Sequence, residues 1–213
     1  MVRTVEERID AGGVAVPARI SVPPDPSGAV VFAHGSGSSR LSPRNVSVAT
    51  VLEERRFATV LFDLLTPDES RDRRNVFDIT LLGERLTGVV RWLRRAEELS
   101  PLPVGLFGAS TGAAAALVAA AQLPDDVQAV VSRGGRPDLA DEALPRVVAP
   151  TVLIVGERDA DVLQLNRAAR RALSSAETAL EIVPGATHLF EEPGALARVC
   201  ELAAGWFDRY LTG

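Results

Sequence analysis

Gly108, Ser110 and Gly112 stand in Gly-x-Ser-x-Gly spacing inside "VGLFGASTGAAAAL" (residues 104–117), where an apolar run meets an alanine-rich one. A serine hydroxyl is a weak nucleophile at neutral pH and needs a base beside it, usually a histidine held by a carboxylate. The spacing suits that chemistry: a strand ends, the chain turns sharply through a strained serine, and a helix begins, with glycines either side leaving room for the turn. Small residues would equally let a helix pack closely, so the stretch by itself carries both readings. The rest of the chain must decide between them.

The partners of such a serine follow it in the order acid, then histidine. His188 lies in "PGATHLFEEPG", after the last apolar run and before the last helical pattern; Asp159 lies in "VGERDADV", just after the preceding run. Asp161, two residues on, is the alternative acid, and Asp159 is favoured as the nearer to the strand end. Acyl transfer also needs two N–H groups aimed at the developing oxyanion. The amide of Thr111, at the start of the predicted helix, would supply one, where the helix dipole helps. "HGSGSS" (34–39) would supply the other through Ser36, because Gly35 and Gly37 allow close backbone approach. His34 is then expected to shape that loop and not to act as a second base.

These residues can meet only if strands and helices deliver them to one rim. "AVVFAH" (29–34), "ATVLFD" (58–63), "VGLFG" (104–108), "VQAVVS" (127–132), "TVLIVG" (151–156) and "ALEIVP" (179–184) read as strands buried on both faces of a parallel sheet. Between them run helical patterns. In 78–99, Ile79, Leu82, Leu86, Val89, Val90 and Leu93 form one stripe, with Glu84, Arg85, Arg91, Arg94 and Arg95 mainly outside it; in 161–173, Val162, Leu165, Ala169 and Ala172 do the same. Residues 1–22 read as an antiparallel hairpin at the sheet edge. The expected fold is one α/β domain over 1–213, a doubly wound, mostly parallel sheet of about eight strands with a helix in every later connection. Ser110, Asp159, His188 and the 34–39 loop then all sit at carboxyl ends of strands, where open α/β sheets place their sites.

Composition narrows the function classes. The 213 residues are 46% hydrophobic and 24% charged, with net charge −5 and arginine as the sole basic residue besides two histidines, which leaves no basic footprint for nucleic acid. No run approaches the length of a membrane span and the charged N-terminus reads as neither a signal nor an anchor, so a cytoplasmic location and no membrane partner are expected. Cys200 is the lone cysteine, on the apolar face of a C-terminal helix with Leu196, Ala203, Phe207 and Tyr210, where a packed core thiol is expected. Neither histidine belongs to a Cys/His cluster, so no metal and no cofactor are expected. Oligomeric state is not readable.

"FAHGSGSS", "GLFGASTG", "LIVGERDADV" and "GATHLF" resemble the motifs of the α/β-hydrolase superfamily, and specifically its dienelactone-hydrolase-like branch of small, lidless enzymes. The alternation of elements matches over essentially the whole chain. The resemblance implies Ser110 as nucleophile, Asp159 as acid, His188 as base and an eight-stranded, mostly parallel sheet. The dienelactone hydrolases that name the branch use a cysteine nucleophile; serine here points to a more general carboxylester hydrolase. Two other readings share these residues: a non-catalytic binding or regulatory protein of the same fold, and acyl transfer or perhydrolysis on the same triad.

The connection from Arg133 to Ala149 is too short for a cap domain, so the site should be open, or covered only by the charged stretch "LLTPDESRDRRNVF" (64–77). Arg133 and Arg136 follow a strand on the active rim, Arg40 and Arg44 follow the 34–39 loop, and Arg73 and Arg74 lie in the charged stretch. One or more of them, with Arg133 and Arg40 foremost, is expected to bind an anionic acyl or alcohol group of the substrate.

Overall fold

The apolar runs become strands of one sheet, buried on both faces almost throughout except in the last, which is mostly half-buried. They are β3 (Gly28–Ala33), β4 (Phe57–Phe62), β5 (Val104–Ala109), β6 (Val127–Arg133), β7 (Thr151–Gly156) and β8 (Thr178–Val183). In this computed structural model, which describes residues 1–174 and 176–212, they pair parallel in one eight-stranded sheet. The N-terminal hairpin of β1 (Arg3–Asp10) and β2 (Ala15–Val22) is antiparallel and joins β4 through β2. Val16, Ala18 and Ile20 alternate inward along β2, as expected of a strand with one face on the core.

The sheet order is β1-β2-β4-β3-β5-β6-β7-β8. The chain leaves β3 toward one edge and returns through β5 toward the other, so the carboxyl ends of β3 and β5 border the crevice where an α/β sheet binds its ligand. Helices α1 (Pro43–Glu54) and α6 (Ala195–Leu211) cover one face, and α3 (Ile79–Leu93), α4 (Thr111–Gln122) and α5 (Ala160–Ala172) cover the other; α2 (Arg73–Val76) is a single turn in the 64–77 segment. Pro43 at the first turn of α1 and the Ser42 cap, whose side chain accepts from the Asn45 N–H, start that helix directly after the 34–39 loop. Asp78 caps α3 by accepting from Leu81 N–H at 3.0 Å. Phe32 and Phe107, on neighbouring strands, stack with centroids 4.9 Å apart, a contact worth about 0.5–1.5 kcal/mol beyond burial.

Three expectations need correcting. The connection between β6 and β7 is a 3₁₀ stretch, Pro137–Arg146, broken at Asp141 (φ 32°), and not an α-helix. Pro145 lacks the N–H an α-helix needs there, and the short span favours the tighter turn. β8 lies at the sheet edge, with Ile182 40% exposed, although its run reads like a central strand. Arg85, outside the apolar stripe of α3 by period, is 7% exposed, because Glu69 and the Ala11 carbonyl reach it from other segments. Cys200 is packed in the core as expected, and burial is the main cause raising its thiol pKa. No helix among the described residues is long and apolar enough to cross a membrane.

Candidate active site

Ser110 links β5 to α4 at φ 51° and ψ −120°. That is the glycine-favouring geometry found at the first corner of a type II′ turn, and a serine held there stores about 1–3 kcal/mol of strain. The surroundings enforce it. Ser110 N–H donates to the Arg133 carbonyl at 3.2 Å, and its own carbonyl accepts from Arg136 and Ala113 N–H, each at 3.1 Å. The flanking glycines are required by space: a Cβ on Gly108 would come within 2.4 Å of Ala113 Cα, and one on Gly112 within 2.3 Å of the Ala33 carbonyl oxygen. Ala113, Ala114, Ala115 and Ala116 are fully buried, so the alanines of α4 also serve close packing. The strained turn at Ser110 and the close packing of α4 are thus compatible in one stretch.

His188 sits in the loop after β8. Its Nδ1 and Asp159 Oδ2 are 2.6 Å apart, a short, charge-assisted bond. Asp159 is the N-cap residue of α5, whereas Asp161, in the first turn of α5, is exposed and is not the histidine's partner. The loop is tied at several points. Thr187 donates its N–H and hydroxyl to Glu192, Gly185 N–H reaches Glu157 at 2.7 Å, and Phe190 plugs the core at 2% exposure. His188 and Ser110 flank the same backbone: a Cβ on Gly134 would lie 3.6 Å from His188 Cε1, and the preceding carbonyl, of Arg133, holds Ser110 N–H.

The 34–39 loop lies against the serine turn from the other side. A Cβ on Gly35 would stand 3.0 Å from Ser110 Cβ. His34 Nε2 accepts from Leu64 N–H at 3.1 Å and Nδ1 lies 3.0 Å from the Gly35 carbonyl, so the ring is neutral with its proton on Nδ1. Burial, the largest influence, lowers its pKa. His34 is therefore spent on shaping the loop. Thr111 N–H opens α4 without an intrahelical acceptor, as first-turn amides do. Ser36 N–H does not point to empty space: it donates to Thr111 Oγ1 at 2.9 Å.

Beside these groups opens a cavity of about 350 Å³, lined by Ser36 and Thr111 on one side and by Leu64, Leu65, Val76 and Leu82 on the other. From the 64–77 stretch, Leu64, Leu65, Pro67, Ser70 and Val76 line it. Thr66 and Glu69 exchange hydrogen bonds, Thr66 N–H to Glu69 at 2.9 Å and Glu69 N–H to the Thr66 hydroxyl at 3.2 Å, and Glu69 is ion-paired to buried Arg85. The stretch that reads as charged surface is thus tied down and contributes apolar side chains to the cavity.

The arginines separate into two groups. Arg40 does not face a ligand as a free cation: Asp63 takes its guanidinium at 3.0 Å and its N–H at 2.8 Å, with Glu6 at 3.3 Å. Arg136 is paired with Asp138 and Arg74 with Asp72, and Arg73 lies over the Phe77 ring. Arg133 differs. It is 7% exposed against the Phe190 ring, 3.5 Å from Asn45 Oδ1, with no carboxylate ion-paired to it among the described residues. Burial, followed by the like charge of Arg44, lowers its pKa to about 10. Nε of both Arg133 and Arg44 is buried without a hydrogen-bond partner among the described residues.

Sequence reasoning missed Asn166. Fully buried in α5, it donates to the Gly135 carbonyl at 2.9 Å and so fixes the segment that holds Ser110 and faces His188. The signal was available: an asparagine at 166 falls on the apolar stripe of Val162 and Ala169. Arg85 and Glu69 gave no such signal, because periodicity is blind to a partner in another segment.

Comparison with known proteins agrees with this architecture. The family model described as alpha/beta hydrolase fold matches residues 28–182. A dienelactone hydrolase crystal structure from Anabaena variabilis ATCC 29413 is 51% identical, with a TM-score of 0.96 and 99% of each chain covered. The protein Est1E from Butyrivibrio proteoclasticus shares the fold at 16% identity, with a TM-score of 0.80 and coverage of 96% of this chain and 98% of its own. Two Mycobacterium tuberculosis proteins, from strains CDC 1551 / Oshkosh and ATCC 25618 / H37Rv, each bear the name "Putative phosphoribosyl transferase" and are 58% identical over 211 residues. This chain is 99% covered in that match but spans 47% of their length, about half. The chain belongs to the alpha/beta hydrolase fold family and is dienelactone-hydrolase-like within it.

Proposed function

We propose that the chain is a serine hydrolase of carboxylic esters or related acyl compounds, acting as one domain through Ser110, His188 and Asp159. The observation that carries this reading is the 2.6 Å bond of His188 Nδ1 to Asp159, made beside the strained turn that bears Ser110. With Nδ1–H given to Asp159, the lone pair of His188 is on Nε2, where a base for Ser110 is needed. Ser110 Oγ attacks the ester carbonyl as His188 takes its proton. The tetrahedral oxyanion forms beside the N-terminus of α4, collapses to an acyl-enzyme, and the alcohol leaves with the proton from His188. Water, deprotonated by His188, then releases the acid and restores Ser110. A buried lone thiol at Cys200 suits a reducing cytoplasm.

The test is covalent. An alkyl fluorophosphonate should add one phosphonyl mass to the peptide bearing Ser110, with fluoride lost. Well-folded protein that takes no label would instead support a non-catalytic binding protein of this fold. Supplying an alcohol acceptor and measuring the partition between free acid and new ester separates hydrolysis from acyl transfer. The name of the Mycobacterium tuberculosis proteins applies to chains about twice as long; the hydrolase reading concerns the half that matches.

The same reading extends to substrate charge. Arg133 places a buried guanidinium group beside the His188 loop with no anion against it among the described residues, whereas half-buried Arg44 is ion-paired to Glu191 at 3.3 Å. An uncompensated buried charge costs several kcal/mol, which an oxyanion group on the substrate would offset. Arg133→Met should therefore lower the preference for a carboxylate-bearing over a neutral ester of the same length by about 10- to 100-fold. Ratios of kcat/KM for the two esters measure this, and an unchanged ratio removes Arg133 from substrate recognition.

A further inference from the structure

We infer that the Thr111 hydroxyl is itself a donor to the oxyanion, held in place by the Ser36 amide, so that this chain builds its oxyanion site from the N–H and O–H of one residue. The inference rests on reading Ser110 as the nucleophile. Its starting point is that the backbone donor expected from the 34–39 loop is engaged: Ser36 N–H ends on Thr111 Oγ1 at 2.9 Å. A simple pair of amides would leave both N–H groups aimed at the substrate. Here a hydroxyl stands between one of them and the site.

A hydroxyl offers one donor and two lone pairs. Ser36 N–H occupies a lone pair, which fixes Oγ1 and leaves its proton to donate. An N–H donated into a hydroxyl also polarises that O–H, so the bond the hydroxyl makes in turn is strengthened. The position is right for this use. Thr111 follows the nucleophile and opens α4, so negative charge forming beside it meets the positive end of the helix dipole. Thr111 is 4% exposed and shares the wall of the 350 Å³ cavity with Ser36, so the hydroxyl acts out of bulk water, where such a bond is worth most. Little slack exists for Ser36 to move. The preceding glycine is so close to the nucleophile that a Cβ there would stand 3.0 Å from Ser110 Cβ and 3.2 Å from the Ala109 carbonyl oxygen.

No covalent bond changes at Thr111 during the reaction. Its proton stays on Oγ1 and hydrogen-bonds the oxygen that gains the electron pair of the carbonyl π bond. When the intermediate collapses, that pair returns to the carbonyl and the bond to Thr111 weakens.

Thr111→Val keeps the shape and removes the hydroxyl; Thr111→Ser keeps the hydroxyl and removes the methyl. Losing one oxyanion donor costs on the order of 10²- to 10³-fold in kcat. Thr111→Val should show that loss with KM little changed, while Thr111→Ser stays within several-fold of the parent. The preference for an ester over its thionoester, whose sulfur accepts hydrogen bonds poorly, should shrink in Thr111→Val alone. Should valine at 111 prevent folding, Thr111→Ala against Thr111→Ser makes the same comparison. Two outcomes overturn the inference. One is a Thr111→Val enzyme as fast as or faster than the parent, which would make the hydroxyl idle or a block on the Ser36 amide. The other is a Thr111→Ser enzyme as slow as Thr111→Val. Fluorophosphonate labelling of the parent keeps the questions apart, since a labelled Ser110 with an unaffected Thr111→Val leaves the hydrolase reading standing.

Discussion

Replacing Ser110 with alanine should lower ester hydrolysis by on the order of 10⁴- to 10⁶-fold and abolish fluorophosphonate labelling. The size of the loss follows from the proposed mechanism: without Oγ there would be no acyl-enzyme, and what remains is water attacking a bound ester beside the N-terminus of α4. The fold should survive, since alanine removes one oxygen from a turn whose backbone bonds to Arg133, Arg136 and Ala113 stay. A second substitution reads the strain independently. At φ 51° and ψ −120° glycine is at ease where serine is not, so Ser110→Gly should be as inactive as the alanine variant yet more stable than the parent by about 1 kcal/mol. Urea unfolding of the three proteins measures this. An alanine variant that keeps more than a hundredth of the parent's activity would mean that another group is the nucleophile.

Much of the arrangement was legible in the chain because the physics behind it is local. The runs that became β3 to β8 were found to within a residue or so, since a strand buried on both faces must be apolar throughout. The hairpin showed in the Gly12-Gly13 turn between "VEERID" and "VAVPARISV", and the serine turn in the glycines at 108 and 112, where a Cβ would clash. What stayed hidden depends on distant segments. β8 reads as central and lies at the edge, because strand order is a property of the assembled sheet. The 3₁₀ course of 137–146 turns on two prolines whose effect a helical period does not report.

The site divides the same way. Ser110, Asp159 and His188 could be read as neighbours because each lies within five residues of a strand's carboxyl end, whereas Asp161 could be set aside as the histidine's partner only from the contact of Asp159 with the His188 ring. Arginines were harder. A charged residue next to a strand end says nothing of its counter-ion, and Arg40 meets Asp63 and Glu6 while Arg133 meets none among the described residues. The engagement of Ser36 N–H by Thr111 is of this kind too, a contact across 75 positions of sequence.

Asp159→Asn should reduce kcat by about 10⁴-fold while leaving the fold and Ser110 in place. In the proposed mechanism the carboxylate accepts a hydrogen bond from Nδ1–H of His188, 2.6 Å away, and so leaves Nε2 bare to serve as base. An asparagine amide is of the same shape but presents an NH₂ that can donate to Nδ1. The ring then carries its proton on Nε2, facing Ser110, and has no lone pair with which to receive the serine proton. The carboxylate also stabilises the imidazolium that forms when that proton moves, and the amide, carrying no charge, does so poorly. Asp161→Asn is the matched control. Asp161 is exposed in the first turn of α5, where its charge only favours the helix dipole, so its loss should cost a few tenths of a kcal/mol and leave kcat unchanged. The pair of variants separates position in the sequence from contact in the fold. A rate that falls with Asp161→Asn and holds with Asp159→Asn would reverse the assignment of the acid, and a rate that holds in both would remove the carboxylate from the mechanism.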